Sequence, residues 1–162
     1  MNPILKLALA LGCALLPLSF AQDAELGTKP VLTLEVAKMM SVAAEAEAEL
    51  EGWTVAIAIV DDGGHLVHFV KRDGTQYAST EVAQLKARTA IGFKRPSGAF
   101  EEAVGGGRTA VLSLDVLALQ GGLPIEVDGE IIGAIGVSGV QSAQDTQVAQ
   151  AALDALAEIL GQ

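Results

Sequence analysis

Few side chains in this sequence are placed to do chemistry, and the most versatile are its two histidines, His65 and His68. They stand three apart on a segment predicted to be a strand, where successive side chains alternate, so they point to opposite faces and do not chelate one metal within a subunit. Each alone offers either an axial ligand to a large cofactor or a bridge between subunits. The plainer roles are a backbone-bonded, turn-flanking His65 and a surface His68. Lys86 falls beside Val82, Ala90 and Phe93 on its predicted helix, away from the wet stripe of Glu81, Gln84 and Arg88. There it either lines a pocket or lays its stem along apolar surface. Lys94 and Arg95 precede Pro96-Ser97 near the start of a further predicted helix, whose free amides favour anions. Those two charges either hold a carboxylate ligand or pair locally with Glu101 and Glu102.

Other chemistries are excluded by what is missing. Ser138 in Gly136-Val137-Ser138-Gly139 lacks the glycine that a nucleophile elbow needs two residues later, because Val140 stands there, and both histidines precede it. Gly105-Gly106-Gly107-Arg108 lacks the Lys-Ser/Thr of a phosphate-binding loop and reads as a flexible loop. Twenty acidic residues against ten basic ones leave a net charge of −10, which argues against a nucleic-acid partner. The lone cysteine, Cys13, lies in an N-terminal segment with the layout of a secretory signal. Lys6 is followed by an apolar run from Leu7 to Leu18 and then by Ser19-Phe20-Ala21, a small-x-small cleavage pattern. That apolar run is shorter than the roughly 20 residues a membrane span requires. Cleavage after Ala21 leaves a cysteine-free mature chain from Gln22, with no thiolate metal site, Cys nucleophile or disulfide.

These side chains need elements to position them. Residues 22–32 read as a flexible leader. Thr33 is a suitable N-cap for a helix with Val36, Met39, Met40, Ala43, Ala46 and Leu50 on its apolar side, ended by Gly52. Val55 to Val60 reads as a strand, Asp61-Asp62-Gly63-Gly64 as a turn, and His65 to Lys71 as the hairpin partner. A second helix runs from Ser79 or Thr80 to Ile91, with Ala83, Ala87 and Ala90 on its dry side. A short third helix is capped by Ser97. Ala110 to Leu119 is a weaker strand-like segment. Pro124 to Val127 and Glu130 to Val137 form a second hairpin around Asp128-Gly129, and Asp145 to Leu160 closes the chain as a helix. The order suggests an α+β sandwich on an antiparallel sheet. Both strong strands have a bulky face (Val55, Ile57, Ile59; Ile131, Ile135, Val137) and a small one (Ala56, Ala58; Ala134, Gly136), which admits either a helix or a flat ligand at close range and, with alanine-rich helices available, favours the helix.

Several segments occur together in an order that resembles a known family. They are Val60-Asp61-Asp62-Gly63-Gly64-His65-Leu66, Lys71-Arg72-Asp73-Gly74, Lys86-Ala87-Arg88-Thr89-Ala90, Arg95-Pro96-Ser97, Leu119-Gln120-Gly121-Gly122-Leu123-Pro124-Ile125 and Gly133 to Gly139, after the Thr33-Leu34 helix start. The sequence is similar to the HbpS, GlcG and PduO C-terminal family over nearly all of the mature chain. That resemblance implies a profilin-like α+β domain over residues 33–162, with a five-stranded antiparallel sheet flanked by helices, assembled as a homo-oligomer. It also implies a small-molecule ligand, haem or a corrinoid-type tetrapyrrole. His65, Lys86, Thr89, Arg95, Gly121 and Gly122 match recurrent family positions.

The expected function is therefore that of an exported tetrapyrrole-binding protein, periplasmic or secreted, acting in haem or redox sensing or in carriage. His65 is the first candidate iron ligand, and Lys86, Lys94 and Arg95 are candidate partners for the ligand's carboxylates. The alternative is a small enzyme or accessory protein of glycolate, carboxylic-acid or alcohol metabolism, although no catalytic constellation accompanies it.

Overall fold

In a computed structural model, which describes residues 26–161, one sheet is sandwiched between helices. The expected signal segment 1–21, and the first four residues of the expected leader 22–32, lie outside the described residues. The chain runs α1 (Leu34–Leu50), β1 (Ala56–Asp61), β2 (Leu66–Lys71), α2 (Ser79–Phe93), α3 (Gly98–Gly105), a 3-10 turn (Thr109–Ser113), β3 (Gly122–Val127), β4 (Glu130–Ser138) and α4 (Ser142–Leu160). The sheet is antiparallel, in the order β2-β1-β4-β3. It has four strands, not the five that the resemblance implied. The strand-like segment 110–119 forms the 3-10 turn and an irregular stretch, and it binds to a helix instead of to a sheet edge: the Leu117 N–H donates to Thr89 Oγ1 at 2.9 Å.

The difference between the two sheet faces sets the layering. Val55, Ile57, Ile59, Ile135 and Val137 join Met40, Val148 and Leu156 in the main core, under α1 and α4. The small face receives α2, whose Ala83, Ala87 and Ala90 lie on Ala56, Ala58, Val60 and Ala134. Gly136 makes that approach possible, because a Cβ there would collide with the Ala83 carbonyl oxygen and the Ala87 nitrogen. The helix, rather than a flat ligand, occupies the small face. Ile131 departs from the expected alternation. A register shift between Ile125 and Glu126 pairs Glu126 with Ile131, so Ile132 enters the main core and Ile131 packs on the α2 side.

α1 starts as expected, with Thr33 Oγ1 accepting from the Val36 N–H at 3.3 Å. Its inward stripe, however, is Ala37, Met40, Ser41, Ala44 and Ala48, and Met39, Val42 and Leu50 stand in solvent. Small residues let α1 lie close to α4, and that contact overrides the bulkier stripe read from the sequence. The leader's last residue, Leu32, is buried in the main core, and Lys29 bonds to Asp62. No helix among the described residues is long and apolar enough to cross a membrane.

Candidate functional site

α2 positions most of the candidate residues, and its two sides treat them differently. On the inner side Lys86 is only 2% exposed. Its ammonium donates to Asp145 Oδ2 at 2.6 Å and to the Val137 carbonyl at 2.9 Å. Asp145 sits in the first turn of α4 and its Oδ1 also accepts from the Val140 N–H at 3.2 Å. Burial pushes the Asp145 carboxyl above its usual range, while the Lys86 ammonium and the backbone N–H groups of Val140 and Gly139 oppose that rise. Lys86 therefore faces a buried carboxylate of its own chain rather than an open pocket. The partner went unread in the sequence, although Asp145 falls in helical register with the apolar stripe of Ala149, Ala152 and Leu156.

Gly121 and Gly122 belong to the same inner cluster. Gly121 has a φ of 110°, and a Cβ on it would meet Val137 O at 2.7 Å, Asp145 Cβ at 2.8 Å and Lys86 Nζ at 2.9 Å. A Cβ at Gly122 would collide with the Lys86 carbonyl. Their backbone is held by Ser97, whose hydroxyl donates to Leu119 O at 2.6 Å and accepts from the Gly122 N–H at 2.9 Å. Ser97 was expected to cap α3, but its φ of −62° is already helical and its side chain makes no cap bond.

The outer side of α2 is open. A cleft of about 420 Å³ runs between the helix and residues 115–117, lined by Leu85, Arg88, Thr89, Phe93, Val116 and Leu117 among others. That volume falls within the range of about 300–1,000 Å³ usual for small-molecule sites. Thr89, itself buried, fixes the far wall through its bond from Leu117. At the other end the turn before β2 leans on α2, since the Cβ direction of Gly64 comes within 3.9 Å of the Ile91 and Arg88 side chains.

That turn carries His65. It precedes β2 instead of lying on it, so the strand-alternation argument applies only to His68, which is half-buried opposite Ile59. The His65 side chain is 83% exposed, with Nδ1 at 3.3 Å from Asp61 Oδ1. The same Asp61 oxygen accepts the N–H groups of Gly63 at 2.9 Å and His65 at 2.8 Å. Partial burial works against ionisation of Asp61, but these backbone bonds and the nearby imidazole outweigh it and hold the carboxyl below its ordinary value.

Lys94 and Arg95 lie where α2 ends. Lys94 takes the left-handed conformation, φ 50°, and the Arg95 N–H returns to Ala90 O at 3.2 Å. Both side chains are exposed, and neither pairs with Glu101 or Glu102. Glu101 accepts instead from the Gln120 N–H at 2.6 Å. Phe93 also lines a smaller cavity of about 200 Å³, shared with Arg95, Phe100, Arg108, Val111 and Leu114. Phe93 and Phe100 pack edge to face there, with centroids 5.0 Å apart. Arg108 was read only as part of a glycine loop. Among the described residues no group of three or more His, Cys, Asp or Glu is placed to hold a metal.

A family model described as haem degrading protein, HbpS-like, matches residues 32–154. Protein GlcG of Escherichia coli K12 is 44% identical over 111 residues, which are 68% of this chain and 83% of GlcG. Among solved structures, HbpS superposes with a TM-score of 0.73 at 32% identity, covering 85% of this chain and 96% of its own. The PduOC:haem complex superposes with a TM-score of 0.71 at 27% identity, covering 78% and 95% respectively.

Proposed function

This chain belongs to the HbpS-like family, and on that premise we propose that it is a haem-binding protein that works after export, with His65 as the iron ligand. What carries the reading is the likeness of the whole fold to PduOC, a protein solved with haem. The residues present fit such a ligand. An imidazole whose Nδ1 is turned toward a carboxylate presents Nε2 outward, and metal-ligating histidines are commonly oriented in this way. The cleft along the outer side of α2, whose Arg88 is approached by Gly64 of the same turn, offers aliphatic and aromatic walls for an apolar ring. The few aromatic side chains of this sequence, 4% of residues, leave most of that contact to Leu85, Val116 and Leu117. Haem is preferred to a corrinoid because haem is the group in the solved relative.

Titration of the chain from Gln22 with haemin, followed in the visible spectrum, tests this. A saturable Soret shift is expected for the wild type, with the band position altered in His65→Ala. No shift overturns haem binding, and an identical spectrum in His65→Ala overturns ligation by His65. Cobalamin in place of haemin is expected to bind more weakly.

A second reading, haem degradation, is favoured by the family description. In it the bound iron would supply the redox chemistry, and the chain would hold the ring and its carboxylates. Progressive loss of the Soret band under ascorbate and oxygen supports degradation, whereas a persistent band leaves carriage or sensing. Export predicts that the protein recovered from outside the cytoplasm begins at Gln22. A homo-oligomer, to be checked by light scattering, would cover the exposed Met39, Val42 and Leu50 of α1.

A further inference from the structure

Arg95 and Arg108 occupy equivalent places at the ends of two helices. Lys94 at φ 50° turns the chain after α2, and the Arg95 N–H bonds to the carbonyl five residues back, Ala90 O, at 3.2 Å. Gly107 at φ 87° does the same after α3, and the Arg108 N–H bonds to Ala103 O at 2.8 Å. This helix-ending motif fixes the backbone of the residue that follows the left-handed position. Both arginines then line the same cavity, over the Phe93–Phe100 pair.

No described residue neutralises them. Their guanidinium groups make no ion pair with a described carboxylate, and the Arg95 Nε–H reaches only the Phe93 carbonyl, at 3.3 Å. No acidic residue lines the cavity, in a chain where acids outnumber bases twenty to ten. Phe93 lines both this cavity and the larger cleft, and Asp115 is the one carboxylate in that cleft's lining. From Arg88 to Phe93 the helix advances about 7.5 Å. The two arginines thus line the cavity on which Phe93, at one end of the cleft lining, also borders.

We propose that Arg95 and Arg108 form a carboxylate clamp that takes the two-propionate edge of the tetrapyrrole, an assignment that rests on the haem-binding reading. Guanidinium forks hold carboxylates through paired charge-assisted hydrogen bonds. The clamp selects ligands that are apolar along most of their surface and carry anionic groups along one edge. Lys86, Lys94 and Arg88 are not part of it, since none of them lines this cavity.

Haemin and haemin dimethyl ester, whose propionates are blocked, separate the contributions when both are titrated into wild type, Arg95→Gln, Arg108→Gln and the double variant. The wild type is expected to bind haemin at least about tenfold more tightly than the ester, the scale of one charge-assisted bond. The double variant is expected to lose that preference while binding the ester as the wild type does. Each single variant, an exposed substitution, is expected to lose part of it. Equal preference for haemin in wild type and variants overturns the clamp and leaves haem binding intact. Loss of ester affinity as well marks a structural role and also overturns the clamp. A wild type that binds neither ligand removes the haem-binding reading itself.

Discussion

The inner and outer sides of α2 carry cations of similar chemistry to opposite ends. On the inner side the Lys86 ammonium is enclosed and satisfied by Asp145 and the Val137 carbonyl, and the helix is pressed so tightly onto β4 that Gly136 has no room for a side chain. On the outer side and just past the helix end, Arg88, Lys94 and Arg95 are exposed, and open volume lies beside Arg88 and Arg95. A cation enclosed by its own chain joins α2 to β4 and α4. One left beside an apolar cleft is available to a ligand. Net charge does not separate the two cases; helical position does.

The comparison breaks most readily at Lys86. Lys86→Ala strands Asp145 as a buried, unpaired carboxylate, and such losses cost about 3–5 kcal/mol. Thermal unfolding is expected to fall by roughly 10 °C or more, with any haemin affinity measured below the transition unchanged. The double variant Lys86→Met with Asp145→Leu removes both charges and is expected to recover much of that loss, as apolar replacements of buried pairs often do. If Lys86→Ala instead leaves stability intact and abolishes haemin binding, Lys86 belongs with the ligand residues and the division of α2 is wrong.

The sequence made the elements legible and the partners less so. Bulky-small alternation in 55–60 and 134–137 anticipated both the buried hairpin strands and the helix on the small face, because packing depth is written in side-chain size. Segment 110–119 was misread as strand-like for the same reason that α1's stripe was rotated. Leu, Val and Met report apolarity, but whether they meet a sheet, a helix or solvent depends on which neighbour can approach, and the alanines decided that. Thr89, Gly121 and Gly122 were recognised by their resemblance to family positions, and only the fold revealed that the glycines lie under the Lys86 pair and that Thr89 holds the cleft wall. Arg108 was unreadable as a partner of Arg95. Thirteen positions separate them, and only the way α3 and the 3-10 turn fold back brings them to one cavity.

Thr89 sharpens the boundary between the two sides, since its side chain is buried yet serves the open cleft. Thr89→Val keeps the shape but leaves the Leu117 N–H without its acceptor, a loss of about 0.5–1.5 kcal/mol for a part-buried bond. Stability is expected to fall less than in Lys86→Ala, and amide exchange to quicken around 115–119. Haemin affinity is expected to drop several-fold as the wall loosens. A destabilisation equal to that of Lys86→Ala would make segment 115–119 part of the cooperative core rather than a ligand wall.

The smallest effect concerns the turn that brings His65 to the outer side. Asp61 is held below the carboxyl value of 3.8 by the bonds it accepts from His65 and Gly63. A carboxyl whose pKa is lower in the folded state binds fewer protons there than in the unfolded chain. Its stabilising contribution is present above pH 3.8 and is lost as the pH falls through the lower, folded value. Asp61→Asn removes that contribution, so wild type and variant are expected to differ by less than about 1 kcal/mol at neutral pH and to converge in acid, as measured by urea unfolding across the range. The turn backbone depends on the same oxygen that faces the His65 ring, so the variant is also expected to broaden the Soret band of bound haemin near neutral pH. A stability gap that persists unchanged below the folded value of the Asp61 carboxyl would mean that Asp61 acts through its shape rather than its charge.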